Sequence, residues 1–365
     1  MFLEDLKLRA PILQAPMAGV STPELAAAVT NAGGLGALGL GASNWQSAAS
    51  QVDAFRALSD GPLHVNFFCH DEPERNPTLE AAWVARFASE FASLRGAAPD
   101  SLKNPYTSAK DDLQLIDFAR EYRPELISFH FGLPNREILN ALRKLGIPII
   151  TSVTHLDDAA LALNAGVDGL IAQGIEAGGH RGTFDPCSDY DFSVNALTTL
   201  ELVEQLRSLT TLPIIAAGGI MSGVHAARVL GAGADAVQLG SAFLLCHESG
   251  ANADYRDQIR TASGSSTVVT RAISGRAARG IGNKVTALGD NANTQDIPPY
   301  PITYDLSKQL NALALEQHGS GYGAYWAGTG IGQARELSAN DLIDQLVEQL
   351  AAVSQRQPLP NKLSY

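Results

Sequence analysis

The chain has 365 residues, 26 Lys and Arg against 38 Asp and Glu, and a formal net charge of −12. With only 18% of residues charged and 45% hydrophobic it is not a disordered chain, and without a basic block no nucleic-acid partner is expected, because phosphates need clustered Lys and Arg. No window holds the ~20 consecutive apolar residues of a membrane helix, and Met1-Phe2-Leu3-Glu4-Asp5 lacks the basic start and apolar run of a signal peptide, so no membrane and a cytoplasmic location are expected.

Short apolar runs bounded by turn residues recur along the chain, each followed by a helical pattern. In order they are Ala10–Pro16, Gly34–Gly39, Pro62–Phe68, Leu126–Phe131, Pro148–Val153, Gly169–Gln173, Pro213–Ala217 and Ala236–Gly240. Nearly continuous apolar runs alternating with helices mark parallel strands buried on both faces. Eight such units predict an α/β fold of the (β/α)8 TIM-barrel type, with an open doubly wound sheet as the alternative. Ala159-Ala160-x-x-Leu163-x-Ala165-Gly166-x-Asp168 recurs as Ala226-Ala227-x-x-Leu230-x-Ala232-Gly233-x-Asp235. This is one repeated unit, whose Ala residues let the helix sit close to the sheet and whose Gly ends it in the left-handed conformation.

Two stretches depart from the regular units. Residues 69–125 form a long polar insertion after the third strand, with a helix near 78–95. Residues 242–365 follow the eighth strand and read as a helical cap over the C-terminal end of the barrel. The expected organisation is a barrel core at 1–241, a substrate-side cap at 242–335, and a C-terminal helix and tail at 336–365 packing on the barrel. The last helix, about 338–354, carries the apolar stripe Leu342, Ile343, Leu346, Val347 and Leu350. Arg256, Arg260, Arg271, Arg276, Arg279 and Lys284 in the cap read equally well as an attractor for anions or as a solvated face.

A barrel site is built at strand C-termini and the loops after them. There the sequence places Ala15-Pro16-Met17-Ala18-Gly19, Asn66 among apolar neighbours, Gln173–Gly182, Ala217-Gly218-Gly219-Ile220, and Gly240-Ser241. Gly218, Gly219 and Gly240 with the Ser241 hydroxyl after the last two strands suit a phosphate cradle, or simply end strands tightly. His180, behind two glycines, can act as a base near neutral pH, or be a packing residue. His130 in the fourth strand is a candidate to support it from behind. His64, His155, His225, His247 and His318 read as packing or solvated residues. No H-x-H or H-x-x-x-H pattern supports a metal site. Gly264-Ser265 and Ser274-Gly275 are in no strand–turn–helix elbow. Cys69, Cys187 and Cys246 form no CxxC pair, which predicts a reducing compartment without disulfides. Cys69 at the end of the third strand reads as a nucleophile or, more simply, as a buried thiol.

The loop Gln173-Gly-Ile-Glu-Ala-Gly-Gly-His180-Arg-Gly resembles the signature loop of the nitronate monooxygenases, and the related flavin enoyl-acyl carrier protein reductases share a loop of this kind. The resemblance runs through Ala15–Gly19, Val65–Phe68, Ala216–Ile220, Gln238–Ser241 and Tyr322–Gly330. Asn66-Phe67-Phe68 together with the Pro/Tyr turn at 298–304 resembles the class I enzymes. The resemblance implies FMN held without a covalent link by Ala15, Met17, Asn66, Gln173, Gly178, Gly179, Gly218, Gly219, Gln238, Leu239, Gly240 and Ser241. It implies His180 as the catalytic residue and Tyr300, Tyr304 and Lys308 as the substrate pocket. One departure stands out: Thr329 occupies a position where the family has Gln. The implied activity is oxidation of small alkyl nitronates, such as propionate-3-nitronate, by O2 to a carbonyl compound and nitrite, a detoxification carried out by a monomer or homodimer. An NAD(P)H-dependent flavin reductase acting on a quinone or enoyl thioester is the second reading, and a flavin-free barrel binding a phosphate ligand the third.

Overall fold

The computed structural model describes residues 2–188, 195–289 and 291–356. Eight parallel strands match the eight apolar runs: β1 (Ile12–Gln14), β2 (Gly36–Gly39), β3 (Leu63–Phe68), β4 (Leu126–His130), β5 (Ile149–Val153), β6 (Gly169–Gln173), β8 (Ile214–Ala217) and β9 (Ala236–Leu239). A short extra strand, β7 (Gly179–His180), interrupts the series. The sheet order is β1-β9-β8-β6-β5-β4-β3-β2, and a parallel bridge between Leu13 and Leu35 joins its two ends. The sheet is therefore a closed barrel and not an open one.

The strands are apolar on both faces because both are covered. Outside, Leu63, Val65, Ile127, Ile149 and Val237 belong to a large cluster with the surrounding helices. A separate cluster draws Leu13, Leu126, Ile150, Ile171, Ile215 and Ala236 from six of the strands and packs with Phe2, Leu3, Leu6 and Leu8 at the start of the chain. The internal repeat has a shared task. Asp168 Oδ2 accepts the backbone N–H of Ile149 at 2.8 Å, and Asp235 Oδ2 accepts that of Ile214 at 3.0 Å. Each repeated Asp thus satisfies the first donor of the neighbouring strand, while Gly166 ends its helix at φ +78° and Gly233 follows the equivalent helix at φ +113°.

The additions differ in part from expectation. The insertion forms helices Pro77–Arg86 and Ala88–Ser93, a break at Phe87 dividing the expected single helix, and then Gln114–Tyr122. Trp83, Phe87 and Phe91 pack with Ile302, Leu306 and Leu310 of the helix Ile302–Glu316, so insertion and cap share one core. The cap is not purely helical. Strands β10 (Thr267–Thr270) and β11 (Ala278–Ile281) pair antiparallel, and β11 pairs in turn with β7. The helix Ala339–Arg356 packs against helices Gly223–Gly231 and Pro23–Asn31, where an eighth barrel helix belongs. Gln349 Oε1 accepts the N–H of Gly223 at 2.8 Å across that contact. The expected tail beyond residue 356 lies outside the described residues. Among the described residues no helix is long and apolar enough to cross a membrane.

Candidate active site

One cavity of about 730 Å³ opens where the strands end. Ala15 and Met17 reach it from the loop after β1, Asn66 from β3, and Gln173 from the end of β6. Gly178, Gly179 and His180 line it from the following loop, Gly218 and Gly219 from the loop after β8, and Gln238, Leu239, Gly240 and Ser241 from β9 and its end. Tyr300, Tyr304 and Lys308 complete it from the cap. Every residue that the family resemblance implies for cofactor, catalysis and substrate pocket lines this one cavity.

His180 is held from several directions. Its segment pairs with β11, with Ala278 opposite His180. Its carbonyl accepts from Gln173 Nε2 at 2.9 Å and from His130 Nε2 at 3.1 Å, while Gln173 Oε1 accepts the N–H of Gly182 at 2.8 Å. Since His130 donates through Nε2, its Nδ1 accepts from the Ser152 hydroxyl at 3.0 Å, which sets a neutral tautomer. Arg181, almost fully buried, donates to the Gly174 carbonyl at 2.6 Å and that of Gln173 at 3.0 Å, tying the loop to the end of β6.

The His180 ring sits among Trp326, Tyr300, Phe131 and Tyr304, with centroids 5.1, 5.3, 5.5 and 5.9 Å away. Its Nε2 lies 2.9 Å from Ser274 Oγ, which also donates to the Arg276 carbonyl at 3.2 Å. With the hydroxyl proton so directed, Ser274 accepts from Nε2–H and leaves the Nδ1 lone pair as the basic site. Burial holds the His180 pKa well below its ordinary value, reinforced by the neighbouring His130, Arg276 and His70. The imidazole is neutral and able to take a proton.

A cationic group lies nearby. Lys308 Nζ sits 4.5 Å from the centroid of Tyr106 and 5.3 Å from that of Tyr304, and burial lowers its pKa. Tyr304 Oη accepts from Trp326 Nε1 at 3.3 Å. Tyr300 Oη is buried without a hydrogen-bond partner among the described residues, and burial raises its pKa well above normal.

The chain matches the sequence profile described as nitronate monooxygenase over residues 1–349. It is 45% identical over 340 residues to a nitronate monooxygenase of Paraburkholderia phytofirmans, covering 93% of this chain and 92% of that one. It is 42% identical to a nitronate monooxygenase of Pseudomonas aeruginosa, covering 96% and 98%. The chain belongs to the nitronate monooxygenase family. Among solved structures, a nitroalkane oxidase from Streptomyces ansochromogenes superposes with a TM-score of 0.87 at 35% identity, covering 98% and 99% of the two chains. FabK from Thermotoga maritima superposes at 0.71 with 25% identity, covering 98% and 97%.

Ser274 and Tyr106 reach the site without any motif to announce them, one from the turn before β11 and the other from the insertion. The expected anion-attracting face of the cap is largely internal wiring. Arg256 donates to the carbonyls of Leu245, Cys246, Ser249 and Ala251, Arg279 to that of Ile175, and Arg276 to those of Thr183 and Phe184. Arg260 pairs with Glu336 and Asp257. Thr329 is not among the residues lining the cavity; its N–H donates to the Glu176 carbonyl at 3.0 Å, so the departure there does not touch the site directly. Cys69 is buried with its thiol pKa pushed well up, which removes the nucleophile reading.

The glycines divide by cause. A Cβ on Gly218, at φ +126°, would lie 2.7 Å from Thr199 Oγ1, so the protein itself needs that glycine. A Cβ on Gly240 would meet only Ala15 Cβ at 3.5 Å and Met17 Sδ at 3.6 Å, which are ordinary contacts. The space over Gly240 is kept clear by nothing in the fold. Beside it Gln238 Oε1 is buried with no hydrogen-bond partner among the described residues, and Ser241 Oγ accepts from the Gly328 N–H at 2.9 Å, leaving its own proton to donate.

Proposed function

We propose that this family member binds FMN in the cavity and oxidises small anionic nitronates with O2, releasing a carbonyl compound and nitrite. Two nitronates and one O2 give two carbonyl compounds and two nitrites, which balances atoms and charge with no NAD(P)H. The observation that carries the reading is one cavity that joins an open backbone cradle at Gly240 and Ser241 to a neutral His180 in an aromatic wall.

The residues present fit the cofactor. Gln238 Oε1 lacks a donor, as a flavin pyrimidine edge would supply. Backbone N–H groups of Gly218, Gly219 and Gly240 with the Ser241 hydroxyl suit its phosphate. Asn66 Nδ2 donates to Ser128 Oγ at 2.8 Å, which holds its amide in place at the cavity. Gln173 lines the cavity, and its amide also orients the His180 loop. When bound, FMN supplies the electron acceptance and the return of electrons to O2.

His180 takes the α-proton of a neutral nitroalkane at Nδ1, and the resulting anion stays beside the aromatic wall around that ring. Lys308 holds negative charge of the substrate. A nitronate that also carries a carboxylate, such as propionate-3-nitronate, suits that ammonium best. Tyr300, Tyr304 and Trp326 hold the reacting group near the imidazole. The test is the flavin itself. Purified protein should be yellow, and acid-released cofactor should be FMN in about one equivalent; FAD, or no flavin, overturns the reading.

A further inference from the structure

Thr199, the first residue of helix Thr199–Leu209, is 3% exposed and lies behind the loops that line the cradle. Its N–H donates to Glu176 Oε2 at 2.9 Å, and its hydroxyl lies 3.0 Å from the same oxygen. The hydroxyl is also 3.1 Å from the Gly218 carbonyl and 3.3 Å from that of Ala217. A single proton serves three acceptors, and the carboxylate is the strongest of them. Two glycines admit this side chain: a Cβ on Gly174 would overlap the Thr199 backbone, and one on Gly218 would press on its hydroxyl. Glu176 is also close to the cradle, since a Cβ on Gly219 would lie 3.2 Å from Glu176 Cβ. Yet Glu176 does not line the cavity.

A carboxylate next to a phosphate site repels the phosphate, and the repulsion weakens as more of its charge is taken up elsewhere. Here the positive end of an 11-residue helix holds it. The Arg279 guanidinium adds a second positive neighbour within electrostatic range of Glu176. The capping box, Thr198 with Glu201, serves the N–H groups of those two residues, so Glu176 accepts a different one, that of Thr199, and is not a redundant acceptor.

We infer that Thr199 is a positioning residue for the phosphate cradle: it ties the Glu176 carboxylate to the helix start, weakens that carboxylate's repulsion at the cradle, and so preserves affinity for the phosphate of the flavin. The inference rests on the FMN reading above. It concerns the phosphate, and so it separates from simple structural support by comparing FMN with riboflavin, which lacks that group.

The experiment strips flavin from the full chain and titrates it with FMN and with riboflavin, by quenching of flavin fluorescence. Thr199→Val should lower FMN affinity about tenfold, the worth of one charge-assisted hydrogen bond, and leave riboflavin affinity nearly unchanged. Thr199→Ser should keep the wild-type ratio. Glu176→Gln in the Thr199→Val background should restore the FMN preference, since a neutral amide does not repel phosphate. Equal weakening of both flavins by Thr199→Val shows support of the fold alone and overturns the inference. If Thr199→Val does not fold, Glu176→Gln alone decides. It should raise the FMN-to-riboflavin affinity ratio, and an unchanged or lower ratio overturns the inference. A wild-type chain that binds neither flavin overturns the FMN reading and the inference with it. A wild-type FMN preference that Thr199→Val leaves intact overturns the inference alone.

Discussion

Ser274 Oγ lies 2.9 Å from His180 Nε2, so a fully buried hydroxyl from the turn before β11 decides which ring nitrogen carries the proton. The pair predicts a split between substrates. His180→Asn should lower turnover of neutral nitroalkanes by about 10²–10⁴-fold, the usual worth of a general base, with FMN still bound. Ser274→Ala should lower it about tenfold, since one orienting hydrogen bond is lost. Preformed nitronates need no proton removed and should lose far less in both variants. Oxygen uptake with a nitroalkane and with its own nitronate measures the split; equal losses on both substrates would remove the base role.

The buried histidines predict an acid-sensitive fold. Burial lowers the pKa of His64 to about 3, and that of His70 and His130 to about 4, against an ordinary value near 6.5. The unfolded chain takes up these protons as pH falls below 6.5, whereas the folded chain resists until about 4. Stability is therefore complete above pH 6.5 and is lost progressively as pH falls from 6.5 towards 4. Melting temperatures across pH 8 to 4.5 should be level above 7 and fall steadily below 6.5. His64→Gln should reduce the slope in part, and a level profile down to pH 4.5 would contradict the burial argument.

Gly240 and Gly218 should respond differently to alanine. At Gly240 the new methyl meets only ordinary contacts within the protein, so Gly240→Ala should fold with an unchanged melting temperature and lose at least about tenfold in FMN affinity. At Gly218 the methyl meets Thr199 Oγ1 from a left-handed backbone, so Gly218→Ala should cost about 1–3 kcal/mol of stability as well. Flavin titration and thermal melts on both variants make the comparison.

Lys308 should act on charge more than on shape. Lys308→Met keeps most of the side chain against Tyr106 and Tyr304 and removes the ammonium. KM for a carboxylate-bearing nitronate should rise about tenfold or more, with a smaller change for an alkyl nitronate, as expected for loss of a charged hydrogen bond. Steady-state kinetics on the two substrates check this, and equal changes would place Lys308 in a packing role.

The barrel was legible because its strands are buried on both faces and therefore written as continuous apolar runs; Gly169–Gln173 as a strand agrees to the residue. The repeated Asp168 and Asp235 were visible as a pattern, but their bonds to Ile149 and Ile214 join neighbouring strands and no local rule reveals them. The loop at 173–182 was legible through its glycines and His180. Its pairing as β7 with β11 was not, because two residues carry too little periodicity. Ser274 and Tyr106 lay hidden for a related reason: each is brought to His180 or to Lys308 by long-range packing. The cap's arginines misled in the opposite direction, since a cation serving backbone carbonyls has the same sequence signature as one facing solvent.

The most direct measurement mixes the purified holoenzyme with an alkyl nitronate in air, with no NAD(P)H present, and follows dissolved O2 and nitrite together. The account predicts O2 consumption with nitrite formed alongside a carbonyl product. Nitrite absent while NADH alone bleaches the flavin under anaerobic conditions would contradict it.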